Sequence, residues 1–91
     1  MKFNGALVKT KERTIGVAVV EDTFLELDPI ERGQRMSQYV KGFGGNTPVV
    51  LLISSSNNQE QYFGRPDLIP LVAEVPLNMM TFKTWEAPDE V

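Results

Sequence analysis

Reactive side chains are sparse in this sequence, and two kinds are missing altogether: it has no cysteine and no histidine. Without cysteine there is no disulfide, no thiolate nucleophile, no iron–sulfur cluster and no cysteine-built zinc site. Without histidine the usual general base of acyl transfer and the commonest transition-metal ligand are gone, so a Ser-His-Asp triad cannot be assembled. Carboxylates and lysines can still move protons, so catalysis is not closed, but the balance leans away from an enzyme. No catalytic residue, metal ligand set or cofactor is assigned from the sequence.

Three places could still hold a ligand. Glu21-Asp22-Thr23 follows the apolar run Ile15–Val20, and Ser54-Ser55-Ser56-Asn57 follows the apolar run Val49–Ile53. Ligands of open α/β sheets collect beyond the carboxyl ends of parallel strands. If these two strands are neighbours, carboxylates and hydroxyls converge on one edge, where they could hold magnesium or a polar ligand. Acids and serines also simply end strands, and that plainer reading carries more weight. Tyr62-Phe63-Gly64-Arg65-Pro66-Asp67 is the most distinctive segment. Arg65 beside a helix start could form an anion pocket, or it could pair with Asp67 or Glu86. Gly42, Gly44 and Gly45 suggest a phosphate loop only superficially, because such loops lead straight into a helix and here Pro48 and a strand follow.

The elements that must position these residues follow from periodicity. Phe3–Lys9 and Ile15–Val20 read as strands that can pair as a hairpin, the second apolar on both faces and therefore buried. Asp28, Pro29 and Glu31 spell a helix start with a capping box, and residues 28–41 read as helix. Ile30, Met36, Tyr39, Val40 and Phe43 are expected on its buried side, Arg32, Gln34, Arg35, Gln38 and Lys41 on its wet side, with Gly42 as the stop. Val49–Ile53 is a second buried strand, 54–59 a turn, and Glu60–Phe63 a return strand. A short helix should begin at Asp67 as N-cap. It would bury Leu68, Leu71, Val72 and Val75, spaced i, i+3, i+4, i+7, and end at Pro76. Asn78–Trp85 alternates as a last strand, and 86–91 should fray. The order ββαββαβ implies an α/β domain (α+β is the alternative) with two helices on a mixed sheet of four to five strands.

Residues 47–75 resemble the C-terminal half of a thioredoxin fold in element order: Thr47-Pro48, an apolar strand, a hairpin partner, then a helix. That implies a hairpin-then-helix arrangement. Thioredoxin redox chemistry is not implied, because the cysteines are absent. The acidic pair after an apolar strand is also similar to a response-regulator receiver. Receivers, however, need a further aspartate ending a central strand and five strand–helix units, which 91 residues cannot hold.

Size and charge bound the rest. A chain of 91 residues makes one domain, 1–91, that buries about two-thirds of its unfolded surface, so its core is thin. The net charge of −3 opposes nucleic-acid binding, although Lys2, Lys9, Lys11 and Arg13 make the first strands basic. The apolar runs are too short to span a membrane, and no signal or lipidation pattern is present. A soluble, cytoplasmic protein is expected, acting through protein contacts. A homodimer using the last strand, with Phe82 and Trp85 as interface residues, would hide apolar surface that so small a core leaves open. The alternative is a small-ligand-binding domain, or a carboxylate- or metal-assisted enzyme, with its site at Glu21, Asp22, Ser54, Tyr62 and Arg65.

Overall fold

Strand β1 (Lys2–Lys9) turns through Thr10–Arg13 into β2 (Thr14–Glu21). The Thr10 hydroxyl donates to the Arg13 carbonyl at 2.7 Å and accepts from the Arg13 N–H at 3.2 Å, which pins the turn. A 3₁₀ turn at Asp22–Glu26 leads to helix α1 (Pro29–Gly42), then β3 (Val49–Ser54), β4 (Glu60–Phe63) and helix α2 (Ile69–Ala73). A second 3₁₀ turn at Leu77–Met79 precedes β5 (Lys83–Glu86). The computed structural model describes residues 2–54 and 60–88, so most of the expected 54–59 turn and the end of the expected frayed tail lie outside the described residues.

The strands form one mixed sheet in the order β4-β3-β2-β1-β5, with helices on both faces: a five-stranded, two-helix α+β arrangement within the predicted class. Strands β2 and β3 run parallel, Gly16 opposite Val49 through Glu21 opposite Ser54, and α1 connects them. Every residue of Val49–Ile53 is buried, which fits a central strand covered on both sides. No helix among the described residues is long and apolar enough to cross a membrane.

One face packs against α1. Phe3, Tyr39 and Phe43 stack edge to face, with ring centroids 5.0 and 5.4 Å from Phe3, and Trp85 lies 4.7 Å from Phe43. Three glycines make room for these rings. A Cβ at Gly5 or Gly16 would stand 2.8 or 2.7 Å from Phe43, and one at Gly42 would stand 2.7 Å from Phe3. The other face buries Ala6, Val8, Ile15, Val17, Val50 and Leu52 under Leu68, Val72 and Met80.

The local expectations divide. Asp28 caps α1 as the motif requires: its carboxylate accepts the Glu31 N–H at 2.9 Å, and Pro29 is the first helical residue. Gly42 closes α1, and the N–H groups of Gly44 (φ +106°) and Gly45 (φ +91°) take the Lys41 and Val40 carbonyls. Ile30, in contrast, is 74% exposed. It precedes Tyr39 by about two and a half turns of a 3.6-residue helix, which puts it on the opposite side.

Helix α2 begins at Ile69, and Asp67 does not cap it. The Asp67 carboxylate is held instead by Arg65, while the Arg65 carbonyl accepts the N–H groups of Leu68 and Ile69. Leu68 and Val72 are fully buried, but Leu71 and Val75 are only partly so, because five residues bring only a narrow face to the sheet. The last strand is Lys83–Glu86 rather than Asn78–Trp85. Leu77–Met79 are wound into a 3₁₀ turn and Met80 is buried in the α2-face core, so the chain joins the edge of β1 only at Lys83, opposite Gly5. Glu86 and Ala87 are tied down rather than frayed: Glu86 pairs with Lys2, and Ala87 is buried against the α1 face.

Candidate functional site

The parallel register brings Glu21 and Ser54 opposite each other at the carboxyl ends of β2 and β3. Asp22 follows at the start of the 3₁₀ turn and is exposed. Tyr62 is opposite Leu52 on β4 and packs toward the α2 face. Arg65 lies at the other end of the sheet, because β4 runs antiparallel to β3 and Phe63 is already opposite Leu51. The structure therefore unites Glu21 with Ser54 but separates both from Arg65. Among the described residues, no three carboxylates stand close enough together to hold a metal ion.

A cleft of about 450 Å³ opens at the carboxyl end of β2, and Glu21 is on its rim. Val20, Phe24 and Leu27 make one wall, from the end of β2 and the 3₁₀ turn; Phe3 and Tyr39 make the other, and Thr23 adds a hydroxyl. Phe24 is fixed by Phe63, whose ring crosses it edge-on at 5.9 Å. Two cations flank the opening: Lys2, at the start of β1, and Arg35, on α1.

Tyr39 is the most perturbed titratable group here. Burial pushes its phenol above the usual tyrosine range, since desolvation penalises the phenolate. The nearby Arg35 guanidinium, which donates a hydrogen bond to the phenol, opposes part of that rise. An aromatic-walled hollow with a buried phenol and two cations can bind an anion that carries an apolar body.

No family model, no curated protein and no solved structure matches this chain.

The sequence pointed to Glu21-Asp22-Thr23 but not to Lys2, Arg35 and Tyr39 as site residues. One signal was available: Arg35 and Tyr39 are four residues apart on a helix, the spacing at which side chains meet. Reading the helix as a dry side and a wet side hid a pair that straddles the boundary. As for the expected interface residues, Phe82 is 37% exposed, whereas Trp85 is half-buried. Its ring packs on Phe43, its N–H donates to the Gly5 carbonyl, and Lys83 Nζ sits 4.3 Å from its ring centre.

Proposed function

We propose that this domain binds a small organic acid in the cleft at the carboxyl end of β2. The observation that supports the reading is the Arg35–Tyr39 pair, set in an aromatic-walled cleft with Lys2 at its mouth. The ligand carboxylate pairs with Arg35 and Lys2, and its apolar body rests on Phe3, Phe24 and Leu27. Glu21 adds one negative charge to the rim, which favours a ligand that also carries an ammonium group. This is a binding role, with no bond-breaking step assigned.

Amide-shift titration with phenylalanine and phenylacetate tests the reading. Shifts are expected at 20–24 and 35–39, larger for phenylalanine because of Glu21. They should be lost in Arg35→Gln. No shift in this region with either compound sinks the proposal.

A second reading, the homodimer through the C-terminal strand, is favoured by one observation. Phe82 is 37% exposed beside the edge strand β5, and Met79 nearby is 73% exposed. Against it, β5 is only four residues long and carries Lys83 and Glu86, and short charged edges are how sheets avoid pairing. Sedimentation of the wild type and of Phe82→Lys decides: a dimer weakened by the lysine supports this reading, and a monomer mass ends it.

A further inference from the structure

A second cleft, of about 710 Å³, lies at the opposite end of the sheet, bounded by Thr14 at the start of β2 and Val49 at the start of β3. Val40, Val49 and Leu68 give it an apolar floor, and Arg13 and Arg65 both face into it. The same two arginines also line a neighbouring hollow with Glu12 and Asp67, so both border the gap between the β1–β2 turn and the segment before α2.

Their hydrogen-bonding capacity is largely unspent. Arg65 donates from Nε and Nη2 to Asp67 at 3.1 and 2.8 Å, which commits two of the five donors a guanidinium carries. Arg13 makes no ion pair among the described residues, and both arginines are exposed. Lys9 and Lys11, near the same turn, raise the local positive potential. The end of α1, which would repel an anion, is quietened because Gly44 and Gly45 donate to its last carbonyls.

We propose that this second cleft binds a phosphomonoester. The phosphate sits between Arg13 and Arg65, and an apolar body lies on Val40, Val49 and Leu68. Two planar guanidinium groups match the charge and the several acceptor oxygens of a phosphate dianion better than those of a single carboxylate. The Asp67 carboxylate competes with that phosphate for Arg65 and so sets the affinity.

The test is an amide-shift titration of the full chain with phenyl phosphate, which should move Thr14, Asn46, Thr47 and Val49. Arg13→Gln is expected to weaken binding about tenfold or more, and Asp67→Asn, which frees Arg65, is expected to tighten it. Both positions are exposed, and an otherwise unchanged spectrum verifies that each variant folds. Phenol, the same body without phosphate, should not bind. Inorganic phosphate should bind more weakly than phenyl phosphate. Equal binding of phenol, or unchanged affinity in both variants, overturns the phosphate assignment. Equal binding of inorganic phosphate overturns the apolar floor, and no saturable shift up to about 10 mM overturns the site. Shifts confined to residues 20–39 would place the ligand in the first cleft, overturning this site while leaving the organic-acid reading standing.

Discussion

The indole N–H of Trp85 donates to the carbonyl of Gly5 at 2.9 Å, while Lys83, two residues before Trp85, is paired with that same glycine. Gly5 is thus held twice by β5, and its missing side chain leaves the space that Phe43 fills. An added Cβ would meet the Phe43 ring at 2.8 Å and the backbone oxygen of Val17 at 2.9 Å. A strand oxygen cannot swing aside, so Gly5→Ala should destabilise by about 1–3 kcal/mol. Trp85→Phe keeps most of the ring packing and loses the hydrogen bond, costing about 0.5–1.5 kcal/mol. Urea denaturation of the two variants checks both the order and the sizes.

Gly16 presents the same relationship with a movable neighbour. All three nearest atoms to its missing Cβ belong to the Phe43 ring. Gly16→Ala should therefore destabilise alone but cost less in a Phe43→Ala background, where Cγ, Cδ2 and Cε2 of the obstructing ring are all gone. A double-mutant cycle is expected to show coupling of about 0.5–3 kcal/mol. Strict additivity would mean that the ring is not what the glycine accommodates.

Asp28→Ala removes the acceptor for the Glu31 N–H and should cost about 0.5–2 kcal/mol in thermal or chemical unfolding, with the fold preserved. Asp67→Ala, at a position that looks equally like a cap in the sequence, should cost less, because no helix N–H depends on its side chain.

On the α2 face, Leu68 is 1% exposed, while Leu71 is only partly buried. Leu68→Ala should cost about 2–5 kcal/mol, and Leu71→Ala clearly less. Equal losses would mean that α2 is longer or rotated from its observed position.

Tyr39 gives a pH dependence with a defined sign. Its folded-state pKa is raised, chiefly by burial, above the unfolded value of about 10. The unfolded chain therefore loses this proton first. The stabilisation is complete below the unfolded pKa and is lost as pH rises through the higher folded one. Stability of the wild type should fall above about pH 10, and Tyr39→Phe should remove part of that fall. A parallel decline in both proteins would show that Tyr39 is not the group responsible.

The strands β1 to β4, the long helix and its cap could be read directly from the residues, because each depends on signals within a few positions. Unbroken β-branched runs mean burial on both faces, and Asp28-Pro29 with Glu31 satisfies a helix end by itself. Asp67 shows where such local reading stops: next to Pro66 it has the form of a cap, yet Arg65 takes its carboxylate and the helix starts later. The last strand starts later than its alternation suggests because Leu77–Met79 form a 3₁₀ turn and Met80 is drawn into the α2-face core, a fact of tertiary packing. The sites were divided in the same way. Glu21 and Ser54 end two apolar runs, and their adjacency needed only that those runs lie side by side in parallel. The placing of Arg65 with Arg13, and of Lys2 with Arg35 and Tyr39, came from the sheet order β4-β3-β2-β1-β5 and from the helix packed across it. Local sequence decides what a segment is, because backbone and caps are satisfied locally. Which distant side chains face one another is decided only when burial of the common core selects a single packing.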